Sequence, residues 1–238
     1  MEEIDSAIVI GTIQVKNNNS IVKMFTKSNG LFSVYLLAGT KKKSVKNAVV
    51  QPLTICNIRY LKNKKSALPS LKEARIDIPL LDIQTDVFKS TIALFIADFL
   101  DQVLSEDHEE KFYKFIENAL RIFNEIELGK LNYHLAFLIK ISKWLGVYPT
   151  VNKEDNNYFD LKEGVFLSKP PNHPHYFSFT ETQILAQFLK RDWTEIGELK
   201  LTGLERRKLL NGLVNYYIFH VPGFKKPKSL SVLEEVFN

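Results

Sequence analysis

Ser20-Ile-Val-Lys-Met-Phe-Thr26, Lys27-Ser-Asn-Gly30, Leu31-Phe-Ser-Val-Tyr-Leu-Leu-Ala38 and Gly39-Thr-Lys-Lys-Lys-Ser-Val-Lys46 follow one another without a break, and together they decide how this chain folds. Two β-branched and aromatic runs flank a turn. Ile21, Lys23 and Phe25 fall on one face of the first run, Val22 and Met24 on the other. The second run is apolar enough for a central strand. Asn29-Gly30 supplies positive φ at low cost, which predicts a hairpin with a short loop. Gly39 ends the strand, and Lys41, Lys42, Lys43 and Lys46 make the next loop strongly cationic.

Upstream, residues 7–15 alternate in polarity with both faces partly apolar, and Gly11 inside the run predicts a bulge or tight bend. Downstream, residues 48–62 read as a strand with Pro52 at its edge, and residues 68–78 as a last strand. Leu53, Ile55, Asn57 and Arg59 share one face of the fourth run; Thr54, Cys56, Ile58 and Tyr60 share the other. Five short antiparallel strands of this size close as a small barrel. An OB-fold is the five-stranded version, with an SH3-like barrel as the rival.

From Pro79 the apolar period changes from two to 3.6. Helices are expected over 80–105, 109–126 and 131–145, the last apolar almost all round and closed by Gly146. Residues 147–178, with four prolines, read as an irregular insertion carrying a short β-like piece over 158–167. Thr180-Glu-Thr-Gln183 and Thr202-Gly-Leu-Glu205 each read as a capping box opening a helix. Pro222-Gly223 stops the second of these, and a short helix follows over 230–237. The expectation is an α+β protein: a five-stranded OB-fold barrel over residues 1–78, then an all-α helical domain over 79–238 with the irregular insertion at 147–178.

Charge divides unevenly along the 238 residues. Residues 1–78 hold 13 Lys+Arg against 5 Asp+Glu, residues 79–199 hold 12 against 19, and residues 200–238 hold 7 against 3. A basic barrel joined to an acidic helical region suits polyanion binding, although lysines also simply solubilise a β-domain. In strand order Lys23, Lys27, Arg59 and Lys62 lie near the basic loop and are candidates to track a phosphate backbone. Tyr35 and Tyr60 are candidates to stack bases, because a phenol tolerates water. Each aromatic has core packing as its plainer role. Lys225, Lys226 and Lys228 form a second basic cluster.

Catalytic parts are missing. Gly39-Thr-Lys-Lys lacks phosphate-loop spacing, and no carboxylate pair stands out from solvated helix faces. The single cysteine, Cys56, reads as a packing residue mid-strand. His173 and His175 flank Pro174 but lack further ligands, so neither metal nor cofactor is expected. No apolar run is long enough to span a membrane, and the acidic N-terminus is unlike a signal peptide, so a cytoplasmic protein is expected. A binding protein is favoured over an enzyme. The function classes left open are nucleic-acid binding, a protein–protein adaptor recognising acidic peptides, and an RNA-binding OB protein.

The ordered segments also resemble the RecO family of bacterial recombination mediators. The likeness is carried by Ala7-Ile-Val-Ile through Ser20-Ile-Val-Lys-Met-Phe-Thr to Gly30-Leu, and by Gly39-Thr-Lys-Lys-Lys-Ser with Gln51-Pro52-Leu53. It continues in Tyr158-Phe159-Asp160 with Gly164-Val-Phe166, and in Lys226-Pro-Lys228-Ser229-Leu230. The resemblance implies binding of single- and double-stranded DNA and annealing of complementary strands. It also implies action with RecR to load RecA onto DNA coated by single-stranded DNA-binding protein (SSB), through contact with the SSB C-terminal tail. A monomer is expected for the protein alone. Lys140, Lys143 and Arg191 are candidates for a basic rim around that tail. Many members carry a four-cysteine zinc module where this chain has residues 146–167. No cysteine stands there, so packing by Tyr158, Phe159 and Phe166 is expected to replace the metal.

Overall fold

The computed structural model describes residues 1–37, 49, 51–62, 66–107, 109–150 and 157–236. It divides into two compact units, Met1–Glu125 and Ile126–Asn238.

The first unit begins with strands β1 (Glu2–Gln14), β2 (Ser20–Thr26), β3 (Gly30–Leu36), β4 (Ile55–Leu61) and β5 (Ser70–Ile78). They close a barrel in the order β1-β2-β3-β5-β4, with β4 returning to β1. The α+β class and the five-stranded barrel are therefore as the alternation predicts. Val22, Met24, Val34, Cys56, Ile58 and Leu71 point inward and are buried. β1 serves two partners: residues 2–8 pair with β4 and residues 7–14 with β2. The register with β2 shifts between Val9 and Gly11, so the expected bulge sits where the long strand passes from one neighbour to the other.

The sequence suggested antiparallel strands throughout, but closure is not wholly antiparallel. β3 and β5 meet in parallel at Tyr35 and Ser70. Pro52 lies in a turn before β4 rather than within it. There Leu53 N–H donates to Val9 O (2.7 Å) and Val9 N–H to Thr54 O (3.0 Å).

The β2–β3 hairpin turns over residues 27–29. Gly30 adopts φ +62°, and a Cβ there would overlap the Glu106 carbonyl oxygen, so both conformation and space demand glycine. Asn29 is not at positive φ. Its side chain instead donates to Asp5 Oδ2 and to the Tyr60 hydroxyl, both at 3.1 Å. Asp5 is buried and also accepts from Ser6 N–H (2.8 Å), Ser28 N–H (3.2 Å) and Ser28 Oγ (3.1 Å). A strand-one carboxylate thus ties down the hairpin turn.

Helices α1 (Leu81–Thr85), α2 (Val87–Val103) and α3 (Glu110–Glu125) belong to the same unit as the barrel. Asp86 caps α2, accepting from Phe88 N–H (2.8 Å) and Lys89 N–H (3.0 Å). Lys89 is fully buried; its ammonium donates to Asn124 O (2.7 Å) and faces Asp82 (3.4 Å). The three helices are pinned together there. Phe25, on the outside of β2, packs between Phe112 and Tyr113 of α3 at ring separations of 5.8 and 5.9 Å.

The second unit holds α4 (Tyr133–Ile141), β6 (Tyr158–Asp160), β7 (Val165–Leu167), β8 (Tyr176–Phe177), α5 (Phe179–Lys190), α6 (Gly203–His220) and α7 (Leu230–Val236). α4 is buried on every side but shorter than its apolar run. Part of the irregular insertion folds as a three-stranded sheet in the order β7-β6-β8. α6 opens on the expected Thr202–Glu205 box, with Glu205 N–H donating to Thr202 Oγ1 (3.2 Å) and Thr202 N–H to Glu205 Oε2 (2.8 Å). α5 opens two residues before its expected box. Ser178 is the N-cap, and its hydroxyl donates to Glu181. Gly212 lets α6 approach β8, since a Cβ there would overlap the Phe177 ring.

Candidate nucleic-acid interface

Outward-facing residues form a cross-strand row on the barrel. Ile13 pairs with Ile21, Ile21 with Tyr35, and Tyr35 with Ser70, so the row crosses β1, β2, β3 and β5. Directly paired side chains share a face. Ile13 is 62% exposed, while Ile21 and Tyr35 are half-buried. Tyr35 N–H donates to Pro69 O (2.7 Å), which fixes the start of β5 beside the ring.

The row lies near strand ends that lead into two connections, the one after β1 and the one after β3. The first carries exposed Lys16. The second leaves β3 after Leu36, which pairs with Ser20, and is held on its return at Val49, whose carbonyl accepts from Thr12 Oγ1 (2.6 Å). In OB-type barrels generally, single strands lie across the β2–β3 face and the adjoining loops meet their phosphates.

The hairpin's outer face is divided. Toward its open end lie Ile21 and Tyr35. Toward its turn lie Phe25, covered by α3, and Leu31, whose N–H donates to Ser105 O (2.9 Å). Lys23 sits at the boundary, paired with Ser33 across the strands.

Each cation of the barrel named from sequence and described here meets a carboxylate. Lys23 Nζ lies 2.6 Å from Asp101 and Lys27 Nζ 3.4 Å from Glu110. The Arg59 guanidinium lies 3.6 Å from Glu73 and 3.8 Å from Glu2. Lys62 Nζ lies 2.9 Å from Glu3. Bonds from Lys62 and then Tyr60 hold the Glu3 carboxyl below the usual carboxylate range. Lys41, Lys42, Lys43 and Lys46 lie outside the described residues.

Tyr60 is not a stacking residue. It is 1% exposed, its ring packs on Phe32 at 4.9 Å, and its hydroxyl donates to Glu3 (2.7 Å). Burial and the Glu3 carboxylate push its ionisation up, so it stays a neutral donor. Inward alternation with Cys56 and Ile58 explains the placement. Tyr35 remains on the accessible face. Lys225, Lys226 and Lys228 are exposed on the segment between α6 and α7, in the second unit.

The zinc module implied by the resemblance does not fit. Among the described residues no group of three or more His, Cys, Asp or Glu is placed to hold a metal ion. Aromatic rings fill the place instead: Phe159 contacts Phe166 (4.9 Å), Tyr216 (5.7 Å) and Phe177 (6.1 Å). Phe159 and Phe166 are buried as expected, whereas Tyr158 is half-buried against Tyr176. Asp160 accepts from Lys162 N–H (2.8 Å) and Glu163 N–H (3.2 Å) and faces His173 Nε2 (3.2 Å), which ties the β6–β7 turn to the next loop. Of the candidate rim residues, Lys140 donates to Arg191 O (2.7 Å) and lies over Trp193 (5.3 Å). The Arg191 side chain faces Glu198 (3.6 Å), and Lys143 is exposed.

Sequence reading missed Ile13, Lys16 and the carboxylates. The signal for the last was present: residues 79–125 hold 4 Lys+Arg against 10 Asp+Glu, and lower the first unit from the +8 of residues 1–78 to +2.

Comparison with known proteins matches both regions. The family described as Recombination protein O N terminal matches residues 1–78, and that described as Recombination protein O C terminal matches residues 84–230. The DNA repair protein RecO of Flavobacterium psychrophilum is 37% identical over 98% of each chain, and that of Flavobacterium johnsoniae 36% over 98% of each. The protein of the same name from Bacteroides fragilis is 30% identical over 97% of each. With a closed five-stranded barrel and a helical unit following in the matched order, the chain belongs to the RecO family.

Proposed function

We propose that this chain is a recombination mediator in DNA repair that works by binding rather than by chemistry. A single strand lies across the Ile13–Ile21–Tyr35 row, its bases against Tyr35 and its phosphates against the loops that follow β1 and β3. Lys41, Lys42, Lys43 and Lys46 meet phosphates from the second of those loops. Lys225, Lys226 and Lys228 supply further cationic contact on the helical unit. Complementary strands are annealed because cations lower their phosphate repulsion while bases held on a shelf stay available for pairing. With RecR, the protein helps load RecA onto single-stranded DNA coated by SSB, whose acidic tail it contacts.

The observation that carries this reading is the half-buried Tyr35, paired with Ile21 and Ser70 on the outward face of the barrel, in a chain of the RecO family whose residues 1–78 are strongly basic. A strand-annealing assay with and without SSB tests it. Faster annealing of naked and SSB-coated complementary strands is the expected result, and a rate equal to the uncatalysed one would overturn it. Changing Lys41, Lys42 and Lys43 to Ala should lower affinity similarly across sequences and reduce the salt slope by up to about 3. A gel shift in which an acidic peptide binds and no oligonucleotide does would favour a peptide adaptor instead.

A further inference from the structure

We propose that Asp101 is a built-in competitor for phosphate at Lys23 and, with Glu3 at Lys62, keeps the barrel's grip on a nucleic-acid strand weak enough to release it. The inference rests on the reading of the barrel as a strand-binding surface. Lys23 is the described cation that shares the outward β2–β3 face with Ile21 and Tyr35: it lies two residues from Ile21, and its partner Ser33 lies two residues from Tyr35. A phosphate of a strand on the row comes within its reach. That place is already taken. Asp101, in the last turn of α2, holds the Lys23 ammonium twice, with its carboxylate at 2.6 Å and its backbone carbonyl at 3.3 Å.

The pattern extends beyond one pair. Every barrel partner named above is a carboxylate remote in sequence or on another strand, and two come from the acidic helical stretch of the same unit. Glu3 is fixed in front of Lys62 by the Tyr60 hydroxyl, 2.7 Å away, so it cannot swing clear without losing that bond. Such pairs are poor stabilisers of the fold. The Lys23 and Asp101 side chains are 31% and 45% exposed, and ion pairs in water contribute little. Their consequence for a ligand is larger. An incoming phosphate must displace one negative group while another stays nearby, so fewer counterions are released per contact. An annealing protein needs this balance, because a strand gripped by unopposed lysines would not be given up to its complement.

Four proteins decide the matter: the full chain, Asp101→Asn, Lys23→Ala and the double variant, each titrated with a labelled oligothymidine at several salt concentrations. Asp101→Asn should bind about two- to fivefold tighter at low salt, the size of one exposed ion pair, and the gain should shrink as salt rises. In the Lys23→Ala background the same change should gain less than about 1.5-fold, since there is no ammonium left to free. Unchanged or weaker binding by Asp101→Asn overturns the proposal, as does an equal gain in both backgrounds, which would mark a general charge effect. Loss of measurable binding in all four, the original chain included, would instead overturn the strand-binding reading of the barrel.

Discussion

Replacing Asp5 with Ala should cost the first unit about 2–4 kcal/mol. The carboxylate is 7% exposed and receives four hydrogen bonds, from Ser6 N–H, Ser28 N–H, Ser28 Oγ and Asn29 Nδ2. Ser28 is exposed, so its two donors turn to water when the carboxylate goes. Ser6 N–H and the Asn29 amide are part-buried and lose a charged acceptor, at about 1–2 kcal/mol each, the lower part of the usual range because the Asn29 amide keeps its bond to the Tyr60 hydroxyl. For a unit of this size the melting temperature should fall by roughly 8–16 °C. Asp5→Asn keeps one acceptor oxygen and should lose roughly half as much. The two units carry separate reporters, which makes the assay clean. Cys56 is buried in the first, and Trp144 and Trp193 both lie in the second. Urea titration followed by thiol labelling reads the first, and tryptophan fluorescence reads the second. A thiol-labelling transition shifted by less than about 1 kcal/mol would refute the claim that Asp5 holds the hairpin turn.

Tyr35→Ser should weaken binding of single-stranded DNA by about 1–3 kcal/mol, the worth of one stacked base, while leaving the melting curve nearly unchanged. Equal affinity would remove Tyr35 from the interface. Burial, and then the charge of Asp77, push the Cys56 thiol up to about 12, so the folded protein should resist iodoacetamide at neutral pH and react only on unfolding. Rapid native labelling would contradict the barrel core described here. Burial and then the Arg206 charge push His134 down to about 3. Between the ordinary histidine value near 6.5 and that lowered one, the unfolded chain binds one more proton, so stability falls as pH drops, by about 1.4 kcal/mol per unit. His134→Leu should flatten that acid slope in tryptophan-monitored unfolding, and an unchanged slope would refute the assignment.

Much of the fold was legible because its causes are local. The β2–β3 hairpin follows from two strand-forming runs and a glycine able to take φ +62°. The bulge follows from Gly11, and the start of α6 from Thr202 and Glu205, which bond to each other's backbone. The start of α5 was ambiguous for an equally local reason. Ser178-Phe-Thr-Glu181 fits the capping pattern as well as Thr180-Glu-Thr-Gln183 does. Thr182 Oγ1 donates to Phe177 O (3.1 Å), and this tie to β8 belongs to the helix that begins at Phe179.

The site was legible only in part. Alternation already put Tyr60 with Cys56 and Ile58, and the barrel interior confirmed that face over the role its hydroxyl suggested. Tyr35 acquired its setting from partners in other strands: Ile21 next to it, Ile13 one strand further, and Ser70 beyond a parallel closure made at a single pair. The lysines and the acidic stretch were visible in the sequence, but which carboxylate meets which lysine was not. Lys23 meets Asp101 and Lys62 meets Glu3 across 78 and 59 residues of chain. By itself the sequence determined that there are strands, turns and helices in this order and how much charge each segment carries, because backbone preference and composition act over a few residues. The tertiary structure alone decided which charges oppose one another and which side chains share the row, because barrel closure sets distances between residues that no local rule relates.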